Sequence, residues 1–234
     1  MSFIVSAAAA CPTCGAQAQV EFPASINADR RPDLRAAILD GSLATQPCKF
    51  CGESLSFEPQ LTYLDVGRRQ WIFAEASSAR NEWPEIELQA AEIFGDAFGA
   101  GAPAAAQTIG TGLIPRLVFG WPALAEKLLC NDLGLDDQAL EALKLAVIAE
   151  GKSPAIYTTL DLRLTGSGET SFILTWLDPA GGTQIERLHV PQEAYALAKA
   201  GGDAWAPVMS RLSGPMFVDL GRILHAPRAA QAAA

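Results

Sequence analysis

The sequence predicts an α+β protein: an N-terminal β module of the zinc-ribbon kind, then a helical hairpin, then a C-terminal antiparallel meander sheet with helices. Three observations carry this expectation. Two Cys-x-x-Cys-Gly units, at residues 11–15 and 48–52, lie among short alternating runs. Apolar residues then recur at helical spacing through 122–150. From 156 to 190 the period drops to two, with Gly-bearing connectors between the runs.

Taken in order, residues 3–8 read as a strand entering the first cysteine pair, and 17–22 alternate polar and apolar side chains like a half-buried strand. Residues 32–39 predict a short helix, with Asp29 as an N-cap candidate, Leu34, Ile38 and Leu39 on one face and Gly41 as its stop. Strand-like runs follow at 53–57 and 70–73. Trp83-Pro84 opens a helix to about Phe94, with Ile86, Leu88, Ile93 and Phe94 apolar. Residues 97–112 are rich in Ala and Gly and carry no charge, which predicts a linker. Two helices are expected next, 122–130 and one capped by Asp136 and ending near Glu150, with Gly151 beyond it. Strands at 156–164, 170–177 and 183–190 form the meander, and a helix runs from Pro191 through Lys199. Residues 216–224 fit strand or helix equally, and the Ala-rich end reads as a frayed tail. The resulting division is a ribbon domain at 1–80, a helical segment at 81–151 containing the 97–112 linker, an α+β domain at 152–225 and a tail at 226–234.

The net charge is −9, and residues 81–150 hold most of the excess, with three Lys/Arg against eleven Asp/Glu. An acidic chain with no basic stripe lacks the electrostatic footprint of phosphate-backbone binding. Arg30-Arg31 and Arg68-Arg69 are the only local basic spots, and pairs of this size read as solvated surface. Spanning a bilayer takes about 20 consecutive apolar residues. No run in the chain approaches that length. No Lys or Arg precedes the short apolar start, so a signal peptide is not expected there. Four cysteines in pairs and a fifth alone point to a reducing cytoplasm.

The paired cysteines carry the chemistry. A Cys-x-x-Cys-Gly turn lets two thiolates face one ion while backbone amides aim at the sulfurs. Two such turns complete a closed tetrahedral site, so Cys11, Cys14, Cys48 and Cys51 are the expected ligands of one structural zinc, with iron the next fit. The usual gap between such pairs is about 15–20 residues. Here the gap runs from Gly15 to Pro47 and is clearly longer, and the helix at 32–39 accounts for the surplus. The competing reading is redox-active CxxC. Redox pairs sit at strand-to-helix junctions, whereas each pair here is followed by glycine and then strand-like sequence.

The doubled motif, Ser25-Ile26-Asn27, the helix end from Leu34 to Leu39-Asp40-Gly41-Ser42-Leu43, and Leu61-Thr62-Tyr63 together resemble the CpXC family of bacterial proteins, named for two Cys-Pro-x-Cys motifs. Gly134-Leu135-Asp136-Asp137 also looks like the helix hairpin that follows in that family. The resemblance covers residues 8–75 closely and 120–150 loosely. It implies zinc binding and no established activity. One departure is Lys49 where the family has proline, with Pro47 preceding the motif instead; this touches turn geometry, not ligand count.

A catalytic set is not legible. Of the two histidines, His189 ends a strand and His225 lies near the tail. Cys130, on an apolar helix, reads as a small buried hydrophobe. Asp136, Asp137 and Glu141 fit an N-cap and acidic first turns better than a divalent-ion cluster. Trp71, Trp83, Trp121, Trp176 and Trp205 are scattered singly, as core anchors are. Neither Gly-rich stretch, at 165–168 or 110–112, completes a phosphate-binding fingerprint. The expected function is therefore a non-enzymatic interaction or scaffold protein with a protein partner. A nucleic-acid-associated ribbon, disfavoured by charge, and a thiol-redox protein are the alternatives.

Overall fold

A computed structural model describes residues 2–151, 160–179, 182–201, 206–212 and 214–224. The chain is α+β, with eight α-helices and three sheets among these residues. The N-terminal hairpin of β1 (Phe3–Ala10) and β2 (Gln17–Asn27) is antiparallel. Helix α1 (Pro32–Leu39) follows, and then a small hairpin of β3 (Thr45–Pro47) and β4 (Ser54–Ser56). Strands β5 (Leu61–Asp65) and β6 (Gln70–Glu75) form a second antiparallel pair. The sheet order is β1-β2-β5-β6-β7, where β7 (Ile114–Phe119) lies parallel to β6 and β2 lies parallel to β5 through Ser25–Asn27 only.

This mixed sheet crosses the boundary drawn at residue 80, because β7 joins it from residues 114–119. Leu117, Val118 and Phe119 are buried on alternate faces there, so the second half of β7 reads as a run of apolar residues rather than as an alternation. The 97–112 segment holds a helix, α3 (Ala104–Gly110), in place of the expected linker. Ala102 in this segment is buried, and Gln107 donates to the Ala100 and Ala102 carbonyls. Small residues are used here for close approach: a Cβ on Gly110 would meet the Phe98 side chain at 2.5 Å.

Helix α2 (Trp83–Phe98) runs a turn longer than its expected end at Phe94, and packs Trp83, Ile86, Ile93, Phe94 and Phe98 beside Trp71 and Phe73 of the sheet. On the opposite face, α4 (Trp121–Asp132) lays Leu124 and Leu128 over Ile26, Tyr63 and Ile72. Helix α5 (Asp137–Ala149) is capped as expected, since the Asp136 carboxylate accepts from the Ala139 amide at 2.9 Å. Asp136→Ala is expected to cost about 1 kcal/mol, read as a lower urea midpoint with unchanged slope. The other expected cap fails. Asp29 instead accepts from the amides of Val66 and Gly67, and so ties the β5–β6 turn to the start of α1, which begins without a side-chain cap.

The meander is antiparallel, in the order β10-β9-β8, from β8 (Asp161–Ser167), β9 (Ser171–Leu177) and β10 (Gln184–Pro191). Helix α6 (Gln192–Ala200) and α7 (Ala206–Leu212) pack with α5 over a core centred on Trp176, Leu174 and Leu143. Residues 216–220 are neither helix nor strand, and a short α8 (Gly221–Leu224) follows. The first part of the expected 156–164 strand, together with Trp205, His225 and the 226–234 tail, lies outside the described residues.

Between these layers runs a buried ionic network that periodicity does not announce. Arg80 forms two bonds to Asp161, at 2.5 and 2.6 Å. Arg163 reaches Asp161, Glu126 and Asp219. Lys144 bridges Glu126 and Glu141, at 2.9 and 2.6 Å. All seven side chains are buried. Glu141 therefore does not decorate a helix start: one of its oxygens accepts from the Leu220 amide and the other faces Lys144. Glu87 likewise accepts from the Met216 and Phe217 amides and pairs with Arg222, anchoring residues 216–222 to α2.

Candidate metal centre

Both Cys-x-x-Cys turns close β-hairpins. In the first, the Cys11 amide donates to the Ala16 carbonyl and the Gly15 amide to the Cys11 carbonyl, each at 2.9 Å. The second repeats the pattern, Cys48 to Glu53 at 2.7 Å and Gly52 to Cys48 at 2.8 Å. Gly15 (φ 72) and Gly52 (φ 80) close these turns in the left-handed region. Residues that carry a side chain enter that region only with strain. That is the physical reason for glycine after each second cysteine.

Two further contacts hold the hairpins face to face. Gln46 of β3 pairs its side-chain amide with both the amide and the carbonyl of Glu21, as a neighbouring strand would. Ala18, Val20 and Leu55 form a small apolar cluster beneath, with Ala9 and Phe22 against it. Phe57 continues the contact into the body, packing on Phe22 and edge-on to Trp121, whose indole N–H donates to the Phe57 carbonyl at 2.7 Å.

The result brings all four predicted cysteines together, with sulfurs within 4.8 Å of one another. Cys11 Sγ lies 3.7 Å from Cys51, and Cys14 Sγ lies 3.9 Å from Cys48. The first cysteine of each turn is buried and the second is exposed, an internal symmetry that follows from two copies of one turn. Amides of Cys14 and Thr13 point at the Cys11 sulfur and, against some desolvation, lower its pKa to about 7. At Cys51 the Glu53 amide also lowers the pKa, but desolvation and the three neighbouring sulfurs outweigh it and push the thiol up to about 12. Four thiols this close cannot all ionise without a cation among them. The arrangement is positioned to hold a metal ion.

The other residues weighed from sequence do not join this centre. His189 is exposed on β10. Cys130 is buried, its thiol pushed up to about 12 by burial and facing the Leu135 carbonyl at 3.5 Å. Glu126, Glu141 and Asp219 bring carboxylate oxygens as close together as the sulfurs, but Lys144 and Arg163 already supply the positive charge between them. Trp71 and Trp176 are core residues.

Fold and site together define a protein with a four-cysteine centre mounted on paired β-hairpins and joined to a larger α+β body. The CpXC protein family model matches residues 9–144, more than half of the chain, and the chain belongs to the CpXC family. No curated protein and no solved structure matches it. No helix among the described residues is long and apolar enough to cross a membrane.

Proposed function

We propose that Cys11, Cys14, Cys48 and Cys51 hold one structural zinc ion and that the protein is a non-enzymatic interaction or scaffold protein of the cytoplasm. The observation that carries the reading is the sulfur geometry. A zinc tetrahedron with Zn–S bonds of about 2.3 Å has edges of about 3.8 Å, and the two close sulfur pairs stand at 3.7 and 3.9 Å. Zinc bound there would supply a fixed charge and a crosslink, with all four coordination positions taken by the chain and none left for substrate. Neither cysteine pair meets a helix N-terminus, where a redox pair gains its reactivity. The small cluster under the sulfurs is too slight to fold the hairpins alone, so the ion would contribute folding free energy directly.

The knuckle loops would form the partner surface. Pro12, Thr13, Lys49 and Phe50 are all exposed, and Phe50 shows 69% of its surface to solvent. An exposed phenylalanine on a rigid, metal-braced turn suits an interface anchor. Photo-crosslinking in cells is expected to give a partner adduct with the wild type. Phe50→Asp should lose it while keeping one zinc per chain. An adduct pattern indifferent to Phe50, or no adduct at all, would count against the reading.

A further inference from the structure

The sheet edges of this protein are closed, charged or very short in every described place but one. The outer edge of β7 receives the Met216 carbonyl, bonded to the Leu117 amide at 3.0 Å. The Leu164 amide of β8 donates to Glu126. Strand β4 is only Ser54–Ser56. Edge strand β10 carries Glu186, Arg187 and His189 and ends at Pro191. Where β2 extends beyond β5, Gln46 takes the place of a strand. Charge, proline, shortness and covering groups are the usual defences of an edge. Among the described residues, strand β1 has none of them. Its sequence, Phe-Ile-Val-Ser-Ala-Ala-Ala-Ala, is uncharged and without proline, and its only irregularity against β2 lies at Phe3/Ile4. Phe3 and Ile4 are 63% and 42% exposed.

The hydrogen-bond phase of β1 is fixed by its turn. Cys11 directs its amide inward to Ala16, so alternate residues back along the strand do likewise. Ile4, Ser6 and Ala8 therefore turn both amide and carbonyl outward. We propose that this edge pairs antiparallel with β1 of a second copy of the chain, across a two-fold axis at Ser6, joining two five-stranded sheets into one. A two-fold axis normal to the sheet sets Ser6 against Ser6, Ile4 against Ala8 and Phe3 against Ala9, so each outward residue meets an outward residue. Bulk also matches, since the large residues of one strand fall opposite the alanines of the other. A strand meeting its own copy meets its own charges, and β1 has none. Residues 1–80, from which β1 and its hairpin partner come, are nearly balanced in charge, seven Lys/Arg against eight Asp/Glu. A charged foreign strand would find no counter-charge on β1.

The test is sedimentation of the metal-loaded full chain over roughly 1 µM to 1 mM, the range in which so small an interface would associate. The wild type is expected to pass from monomer to dimer. Ser6→Lys and Ser6→Glu each place like charges face to face at the axis, and each should weaken the dimer at least ~10-fold. An equimolar mixture of the two should recover it, as a Lys-to-Glu pair. Circular dichroism and metal content establish that the variants are folded. A wild type monomeric throughout, whether or not it takes up a foreign strand, overturns the proposal. So does a Ser6→Lys dimer as tight as wild type, or a mixture that stays monomeric.

Discussion

Cys48→Ser is expected to abolish metal binding and unfold the paired hairpins while the body of the protein stays folded. Structural zinc contributes about 10–16 kcal/mol of apparent binding free energy in small domains at neutral pH. The apolar cluster at the site comprises little beyond Ala18, Val20 and Leu55. Nothing in that cluster can replace such a term. The larger cores over both faces of the five-stranded sheet draw on α1, α2 and α4 and do not depend on the sulfurs. Elemental analysis should therefore fall from one zinc per chain to none, and hydrogen exchange should become fast through residues 9–22 and 45–56 only. In the wild type the four thiols should resist alkylation until a chelator is added. Because the ligands must shed protons to bind, loading should also fall as pH is lowered. A wild type that carries no metal, or a Cys48→Ser chain that keeps it with protected hairpins, would defeat the assignment.

Arg163→Met should produce the largest loss in the body, about 3–5 kcal/mol, the range for breaking a buried ion pair by removing one partner. The guanidinium answers Asp161, Glu126 and Asp219 at once, all within the protein interior. Burial raises the pKa of Asp161 and Asp219, but Arg163 outweighs it, helped by Arg80 at Asp161 and by Lys144 at Asp219, and both carboxyls lie below the usual range. A depressed folded pKa gives stability that is present above the unfolded value of about 4 and lost as pH falls below it. Glu141 runs the other way. Burial lifts it to about 7 despite Lys144, so its favourable contribution is complete at acid pH and is lost as pH rises through 7. Without Arg163 the orphaned carboxylates would be relieved by protonation. The deficit of the variant relative to wild type should thus be largest near pH 7 and narrow on acidification. Urea unfolding at about pH 7.5 and about pH 4.5 measures this. A deficit under about 1 kcal/mol, or one that widens at the lower pH, would refute the account.

What the sequence discloses depends on whether the determining contact is local. Helix α1 is legible because Pro32, the apolar spacing and Gly41 all act within a few residues. The cysteine turns are legible for the same reason, and their convergence is read from the four ligands that one tetrahedral ion would take rather than from periodicity. Asp136 reads correctly as a cap, yet Asp29, the same residue type shortly before a helix, serves a turn that arrives from residues 66–67. Strand β7 escapes a sequence reading because its second half, Leu117 to Phe119, is buried on both faces, which removes the alternation that marks a strand. The ionic interior escapes it for a related cause. Glu126, Glu141, Lys144 and Arg163 look like solvent-facing positions when each is read alone, and only their mutual neutralisation makes burial tolerable. A spacing of three between Glu141 and Lys144 is the one available hint.

Strand β2 belongs to two structures at once. Its first half frames the cysteines and its last residues, Ser25–Asn27, pair with β5 in the body. A metal held by the cysteines would therefore brace the first half of β2, while Ser25–Asn27 stay fixed to the body through β5. A chain made under metal scarcity would have a sound interior and slack hairpins, open to proteases along segments that the ion would otherwise hold in rigid turns. Its abundance in the cell should then follow the supply of the ion, so that turnover, rather than any chemical step, reports how well the site is filled.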